Sequence, residues 1–273
     1  MIPQPTIIVI ACILGMAVGS FLNVVIYRLP KIMEAGWNRD IADRLTTRYK
    51  LPSVPANYSL AYPPSACPYC GHQIKAIENI PIVSYLILGG RCSSCKTHIS
   101  ARYPMVEFIT GVLAGLIAYK FGYGTTSLYA FFFVASLIAL TLIDIDTMLL
   151  PDSITLPLLW VGLLFNIGIG LTDLRSAVLG AAIGYAFPWL VCWVFLFVTG
   201  RDGMGHGDFK LVAALGAWFG WQAIPSMVSI ACALFILMWL LILVSGRSPA
   251  RQIPFGPYLA ASGVITLFFG VII

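Results

Sequence analysis

The chain has 273 residues, of which 59% are hydrophobic and only 10% are charged, and its mean hydropathy is +0.91. A soluble globular protein is closer to half apolar and a quarter charged. The composition therefore excludes an ordinary soluble domain and predicts an all-α polytopic membrane protein. The net charge of +5 does not indicate nucleic-acid binding, because the sequence has no basic stripe with interleaved aromatic residues.

Eight apolar stretches are each near the roughly 20 residues that a membrane-spanning helix needs. In chain order they cover about residues 5–27, 104–121, 125–147, 153–171, 175–199, 207–222, 224–245 and 255–273. The sixth stretch is short and contains Lys210, so it is the weakest span. The first stretch has no basic residue before it and is too long for a signal-peptide core, so we expect a retained helix.

The Lys and Arg residues predict how these spans are oriented. Fourteen of the 16 lie in the segments 28–103, 148–152, 200–210 and 246–254, and only Lys120 and Arg175 lie on the opposite side. Lys and Arg are concentrated in the cytoplasmic loops of membrane proteins. The distribution therefore places both termini on the non-cytoplasmic side.

The chain is predicted to have three parts. They are a first transmembrane helix (1–27), a cytoplasmic tetracysteine domain (28–103) and a transmembrane bundle (104–273). The 28–103 segment is polar and Pro-rich, and its ten basic residues outnumber its four acids. A net basic domain of this kind is expected to lie against an anionic lipid leaflet.

Pairs of glycines at four-residue spacing occur in three spans. They are Gly111 with Gly115, Gly180 with Gly184, and Gly216 with Gly220. Such pairs let membrane helices approach closely. We expect packing within one bundle, and a dimer interface is the alternative.

Four cysteines form two C-x2-C pairs in the 28–103 segment, and they are Cys67, Cys70, Cys92 and Cys95. Paired thiolates at this spacing predict a tetrahedral zinc site, which is structural because four protein ligands leave no open position. Two disulfides are the alternative, but the predicted cytoplasmic location is reducing. His72 and His98 lie beside the pairs and are alternative ligands.

Three acids follow one another in "LIDIDTMLLPD", at the cytoplasmic end of the third span, and they are Asp144, Asp146 and Asp152. A carboxylate is disfavoured even near the edge of the hydrocarbon, so these acids either lie outside the membrane or have a function that needs a carboxylate there. Asp144 is the deepest and is assigned the chemistry. Asp146 points to a different side of the helix, and Asp152 is expected to cap the fourth span after Pro151.

A second acid group occurs in "GMGHGDFK", where Gly205 and Gly207 flank His206 before Asp208 and Lys210. The glycines permit a tight bend before a helix, and Asp208 would stand near the helix N-terminus. An ordinary N-cap is the alternative. However, the fourth and fifth spans go out and return, so the topology brings Asp208 to the level of Asp144. A carboxyl pair that shares a proton activates water in aspartic proteases.

At this point the sequence resembles the type IV prepilin peptidases, which are GxGD-type aspartic membrane proteases. The resemblance rests on "LIDIDTMLLPD", "GMGHGDFKL", "GSFLNVVIYRLP", the paired CxxC motifs and "ISARYPMVE", and it covers nearly the whole chain. It implies that Asp144 and Asp208 are the catalytic aspartates. Asp146, Asp152, Gly205, Gly207 and Lys210 would support them.

The resemblance also implies the reactions and the location. Members of this family remove the basic leader from type IV prepilins or type II secretion pseudopilins, at the cytoplasmic face of the bacterial inner membrane. They then N-methylate the new terminal residue with S-adenosylmethionine. The sequence contains no nucleotide-binding motif. Gly89 and Gly90 are candidates for contact with this cofactor, and a turn before the second cysteine pair is the alternative.

Two other functions are compatible with intramembrane acids. A cation- or proton-coupled transporter would place its acids near the membrane midplane, in broken helices of a repeated architecture. A non-catalytic assembly factor for pili or secretion would not need the aspartates. The sequence does not predict the oligomeric state, the particular prepilins, or the distance between the aspartates.

Overall fold

The computed structural model of the chain describes residues 3–45, 58–200, 203, 205–246 and 253–271. Five of the basic residues used to predict orientation lie outside the described residues, and they are Arg48, Lys50, Arg201, Arg247 and Arg251. Within the described ranges the chain is helical, and no strand is longer than an isolated β-bridge. The predicted all-α class is therefore confirmed.

Nine α-helices follow one another in the described part of the chain. They are α1 (Gln4–Leu45), α2 (Val83–Ile87), α3 (Arg102–Phe121), α4 (Thr125–Thr147), α5 (Asp152–Gly168), α6 (Leu174–Thr199), α7 (His206–Phe219), α8 (Ile224–Val244) and α9 (Gly256–Phe269). All except α2 overlap the predicted spans.

Fewer than eight of the described helices are long and apolar enough to cross a membrane by themselves. Five are long and apolar enough, namely α1, α3, α4, α6 and α8. Helices α5 and α9 are apolar but have only 17 and 14 residues, and α7 also has 14. A 14-residue helix is about 21 Å long, against about 30 Å of hydrocarbon. The chain is a multi-pass membrane protein, and the count of eight spans remains a prediction.

Helix α1 extends further than the first predicted span. It continues past residue 27, through Arg28 and Pro30, to Leu45. The Arg28 guanidinium is buried and donates to the carbonyls of Ser59 and Leu60, so the polar segment that follows packs on the helix instead of ending it.

The described chain forms two compact units, residues 1–123 and 124–273. In the first unit α1 and α3 pack closely along their lengths. A Cβ on Gly111 of α3 would lie 2.6 Å from Met16 Cγ, and one on Gly19 of α1 would lie 2.8 Å from Glu107 Cα. The predicted domain boundaries at 27 and 103 remain a prediction.

In the second unit the closest helix pair is α6 and α7. A Cβ on Gly180 would collide with the Gly216 carbonyl oxygen, and one on Gly184 would lie 2.7 Å from the Val212 carbonyl oxygen. The glycine pairs of α3 and α6 thus pack within one chain, as predicted.

A buried polar and aromatic cluster fixes the other face of α7. Trp218 is fully buried, lies against Phe133 and Phe165, and donates its indole N–H to the Leu158 carbonyl at 2.9 Å. Asn166 of α5 donates to the carbonyls of Ala217 and Trp218. Helix α7 is therefore held on both sides, which fixes the position of the residues at its N-terminus.

Candidate active site and tetracysteine cluster

The end of α4 separates two of the predicted acids. Asp144 is only 5% exposed, whereas Asp146 lies on the exposed side of the helix. The helix ends because Met148 adopts a left-handed conformation, with φ of 56°. The Met148 N–H donates to the Asp144 carbonyl at 2.9 Å. Asp144 is thus the acid that faces the protein interior.

The third acid of the stretch has a different role from the predicted one. The N-cap of α5 is Pro151. Asp152 is the first residue of the helix, and its side chain makes no capping hydrogen bond. Its carboxylate oxygens instead accept from Lys210 Nζ at 2.7 and 2.8 Å. The prediction that Asp152 caps α5 is wrong, because the Lys210 ammonium of α7 occupies both carboxylate oxygens.

The GxGD segment places Asp208 in the first turn of α7. The helix begins at His206 with Gly205 as N-cap, so Asp208 is its third residue, as predicted. Leu150 approaches both Gly207, the neighbour of Asp208, and Gly256, whose N–H binds Asp144, so the two acids lie in the same region of the second unit. Asp208 Oδ1 is buried and has no hydrogen-bond partner within the described residues.

Gly256, at the start of α9, is a site residue that the sequence reasoning missed. Its backbone N–H donates to Asp144 Oδ2 at 3.0 Å, and a Cβ there would lie 2.5 Å from that oxygen. The signal was present in "PFGPY" (254–258), because Pro after Gly is typical of a helix start, where backbone N–H groups are free.

Leu150 packs between the two helix starts that carry the site. A Cβ on Gly207 would lie 2.9 Å from Leu150 Cβ, and a Cβ on Gly256 would lie 3.3 Å from Leu150 Cδ2. The loop after α4 therefore contacts both α7 and α9 beside the aspartates. Absence of a side chain at Gly207 and Gly256 is what allows this close packing.

The four predicted cysteines form one cluster in the first unit. Their sulfur atoms all lie within 4.8 Å of one another, with Cys67 to Cys95 at 3.8 Å and Cys70 to Cys92 at 4.0 Å. Four ligands at the usual Zn–S distance of about 2.3 Å stand about 3.8 Å apart in a tetrahedron. A disulfide would require about 2.05 Å. The four cysteines are free, and their cluster could hold a metal ion such as zinc.

Two similar knuckles hold the sulfur atoms. The Cys67 N–H donates to the His72 carbonyl at 2.9 Å, and the Cys92 N–H donates to the Thr97 carbonyl at 2.9 Å. Gly71 and Lys96 occupy equivalent positions, with φ of 71° and 61°. Each knuckle thus repeats the same backbone path around its cysteine pair.

Hydrogen bonds favour the anionic form of two of these thiols. Backbone N–H groups of Cys70 and Tyr69 lower the pKa of Cys67, and the hydroxyl and N–H of Thr97 lower the pKa of Cys95 to about 6. At Cys70 the N–H of His72 lowers the pKa, but burial and the neighbouring thiols outweigh it and raise the pKa to about 11. A bound divalent cation would offset the repulsion between neighbouring thiolates.

The two histidines beside the knuckles are engaged elsewhere. His72 Nε2 contacts Ser93 Oγ at 3.1 Å and Glu78 Oε2 at 3.3 Å, while His98 Nδ1 lies 3.0 Å from the Ile99 carbonyl. Hydrogen bonds from Ser93 and from the Lys75 N–H lower the pKa of Glu78 to about 2. The cluster that could hold a metal therefore consists of the four cysteines.

Two protein families match the chain in sequence. Residues 13–121 match the bacterial peptidase A24 N-terminal domain, and residues 131–246 match the type IV leader peptidase family. The chain is 48% identical over 261 residues to a prepilin leader peptidase/N-methyltransferase of Burkholderia pseudomallei. The aligned region covers 95% of the chain and 84% of that relative. It belongs to the type IV leader peptidase family.

Two more relatives with the same name support this membership. The one from Neisseria gonorrhoeae is 47% identical over 96% of the chain and 90% of its own length. The one from Pseudomonas aeruginosa is 46% identical over 94% of the chain and 89% of its own length. No solved structure matches the chain.

In this leader peptidase the two candidate cofactor glycines form a turn before the second knuckle. Gly89 and Gly90 have φ of 60° and 68°, and the Gly90 N–H donates to the Tyr85 carbonyl at 2.9 Å. A Cβ on Gly90 would lie 2.9 Å from Tyr85 Oη, whereas nothing lies within 4 Å of one on Gly89. The turn explains both glycines through backbone conformation.

The two glycines of the GxGD segment are expected to differ in tolerance. Gly205 has φ of −70°, and a Cβ there would lie 3.5 Å from Asp208 Oδ2, which is ordinary contact. Gly207→Ala should therefore reduce peptide cleavage much more than Gly205→Ala, because it pushes Leu150 away. Initial cleavage rates of the two purified variants test this. The double variant Gly207→Ala, Leu150→Ala should recover part of the loss, and failure to recover would contradict the Leu150 contact.

Proposed function

We propose that this chain is a membrane aspartic endopeptidase that removes the leader of type IV prepilins or type II secretion pseudopilins and then N-methylates the new N-terminal residue. Membership in the type IV leader peptidase family supports the reaction class. The names of the relatives support the pairing of peptidase and methyltransferase activity in one chain.

One observation carries the catalytic assignment. Asp208 Oδ1 is buried without a hydrogen-bond partner in the described residues, and Leu150 packs beside both Gly207, next to Asp208, and Gly256, which binds Asp144. Buried carboxylate oxygens are normally hydrogen-bonded, so this one is available to a water molecule or a substrate. When two carboxyl groups share a buried site, repulsion between their negative charges favours a state in which only one of them is ionised.

The aspartate pair can hydrolyse a peptide bond by general acid–base catalysis. The ionised carboxylate takes a proton from water as the water oxygen bonds to the scissile carbonyl carbon. The other carboxyl gives its proton to the carbonyl oxygen. When the tetrahedral intermediate collapses, the C–N bond breaks, the amine leaves with the proton that was taken from water, and a hydroxyl of the intermediate returns its proton to the other carboxyl. The pair thus ends with one proton, as it began.

Gly256 would orient Asp144 during this reaction. Its N–H occupies Oδ2, which directs the other carboxylate oxygen of Asp144 to be the one that binds water. The Asp152–Lys210 ion pair lies between the starts of α5 and α7, where it would keep the two helix starts in register. Asp146 has no assigned chemical step.

The charge distribution supports a location in the bacterial inner membrane, with both termini on the non-cytoplasmic side. The tetracysteine segment and the aspartates would then face the cytoplasm. Leader peptides that carry basic residues are presented on that side. The partners in this proposal are prepilin or pseudopilin substrates and the lipid bilayer.

The tetracysteine cluster would hold a structural zinc ion. The sulfur separations and the free thiols fit the donor set, and all four tetrahedral positions are filled by protein. We expect the purified protein to contain about one zinc per chain by elemental analysis. Replacing any of the four cysteines by Ser should remove the metal, and Cys232→Ser in α8 should leave it in place. Full zinc content in Cys92→Ser would contradict the assignment.

Methyl transfer would use S-adenosylmethionine, which supplies an electrophilic methyl group to the new N-terminal amine. Substitutions at Gly89 or Gly90 are expected to impair methylation while cleavage is largely retained, because the aspartates lie on other helices. Gly90→Ala should have the larger effect, since its Cβ meets the Tyr85 hydroxyl. Mass spectrometry of the pilin N-terminus measures both reactions. The Asp144→Asn variant should still methylate a pre-cleaved pilin, and failure would indicate one shared site.

A cleavage assay tests the proposed function directly. The purified chain in detergent or nanodiscs is incubated with a prepilin, and the product N-terminus is identified by mass spectrometry. Cleavage at the leader junction is expected. A transporter would leave the prepilin intact and show ion-dependent flux in liposomes, and an assembly factor would show neither activity.

A further inference from the structure

A strongly apolar surface lies on the tetracysteine side of the first unit, where it has no assigned role. We define the apolar segment as residues 74–88, which contain α2 and the turn before it. Its large side chains are exposed, with Ile77, Leu86 and Ile87 at 73, 71 and 78% and Ile80 and Val83 near half. A soluble loop rarely exposes so many aliphatic side chains together.

The contacts of this segment place it beside the ends of the two helices that are predicted to enter the membrane. The Ile82 N–H donates to the Glu107 carboxylate of α3 at 2.8 Å. Glu107 is the sixth residue of α3, so it lies about 7.5 Å along the helix from Arg102. The two long helices of this unit, α1 and α3, are long and apolar enough to cross a membrane.

Contacts with α1 also place the apolar segment beyond the first basic residue of the helix, on the side of the predicted membrane span. Asn79 and Pro81 line a groove of about 290 Å³ with four residues of α1, namely Ala17, Ser20, Phe21 and Val24. Phe21 precedes Arg28, the first basic residue of α1, by seven residues, or about 10 Å of helix. The apolar segment is therefore deeper than the first basic residues of both helices.

The backbone of the segment adopts, at Ile82, a conformation that is unfavourable for this type of residue. Ile82 has φ of 60° and ψ of −48°, which is rare for a β-branched residue. The Glu107 carboxylate binds its N–H, and the Val83 N–H bonds to the Pro81 carbonyl. Held in this way, α2 presents Val83, Leu86 and Ile87 outward. Such strain is maintained where surrounding structure and function require it.

The polar groups of the segment face away from this surface or flank it. Glu78 is turned toward His72 and the Lys75 N–H, and Tyr85 Oη is directed to the Ile99 carbonyl. Exposed Lys75 and Arg91 stand on either side of the aliphatic run. Aliphatic side chains between basic residues are typical of segments that lie in the interface of an anionic leaflet.

We propose that the apolar segment inserts into the lipid leaflet on the tetracysteine side, with Leu86 and Ile87 among the acyl chains and Lys75 and Arg91 at the headgroups. Glu107 is the positioning residue that clamps the segment at this depth through Ile82. The tetracysteine cluster is thereby held against the membrane and does not move freely in solution. This inference does not depend on the peptidase activity.

Fluorescence quenching in the full chain tests the insertion. One fluorescent amino acid is incorporated at position 87, or at Ser94 on the exposed tip of the second knuckle, and the protein is reconstituted in nanodiscs. Lipids with brominated acyl chains quench probes in hydrocarbon, and iodide quenches probes in water. We expect brominated lipid to quench the probe at 87 but not at 94, and iodide to show the reverse.

Two further outcomes would overturn the proposal. Iodide quenching at position 87 without quenching by brominated lipid would place the segment in water, and quenching by neither would place it against protein. A Leu86→Glu variant that carries the probe at 87 should lose most of the quenching by brominated lipid. Its thermal unfolding should match that of a Ser94→Glu control, since both positions are exposed.

Discussion

Replacing either Asp144 or Asp208 by Asn is expected to abolish leader cleavage while the protein still inserts and folds. Asparagine keeps the shape of the side chain but cannot carry the proton that each carboxyl exchanges with water and with the scissile carbonyl. Loss of one such group reduces rates by about 10²–10⁴-fold, and loss of either member disables the pair. Cleavage is measured by mass spectrometry of the pilin N-terminus under single-turnover conditions.

Asp146→Asn is the matched control for this prediction. Asp146 lies two residues away on the same helix but on its exposed side. It should retain cleavage close to that of the unmodified protein. An equal loss in Asp146→Asn and Asp144→Asn would show that the wrong acid was assigned. Near-normal cleavage in Asp208→Asn would refute the aspartate pair as a whole.

Gly256→Ala is expected to reduce cleavage by about 10²-fold, because a methyl group there displaces a catalytic carboxylate, and a misplacement of about 1 Å has this effect. The alanine Cβ would lie 2.5 Å from Asp144 Oδ2 and 3.2 Å from Asp144 Cγ. The carboxylate must move and its hydrogen bond to the Gly256 N–H must break. The reduction should appear in kcat more than in KM, because Gly256 contacts the catalytic group rather than the substrate.

Gly168→Ala provides the control for a glycine without such a contact. Gly168 is the last residue of α5, and nothing lies within 4 Å of a Cβ built on it. Alanine is a better helix former than glycine, so this variant should be at least as stable and fully active. If Gly256→Ala cleaved as fast as Gly168→Ala, the hydrogen bond to Asp144 would not belong to the active enzyme.

The sequence predicted well those features that depend on local pattern. The helical stretches, the cysteine cluster and the burial of Asp144 rather than Asp146 follow from hydropathy, from C-x2-C spacing and from helix periodicity. Each of these signals is contained in a few consecutive residues. The out-and-back path predicted for the fourth and fifth spans agrees with the position of Leu150, which packs beside Gly207, next to Asp208, and beside Gly256, which binds Asp144.

Features that depend on contacts between distant segments were not predictable. Gly256 joins Asp144 across 112 residues, and Lys210 joins Asp152 across 58. The extension of α1 past Pro30 depends on carbonyls of residues 59 and 60, which accept from Arg28. Ile82 is held at positive φ by a carboxylate 25 residues away. None of these partners is indicated by the residues next to it.

The hydrogen bond from Gly256 to Asp144 also has a consequence for the biogenesis of the enzyme. A ribosome that adds about 5–20 residues per second needs roughly 6–22 s to travel the 112 residues from Asp144 to Gly256. During the last 48 of those residues, from Asp208 to Gly256, both aspartates have been synthesised, but the amide that would orient Asp144 has not been made. The nascent chain therefore passes through a stage with its acids in place and its site incomplete. Under the proposed function, full proteolytic competence would require that α9 has been synthesised and has packed against α4, so an unfinished chain would be much less able to act on neighbouring membrane proteins.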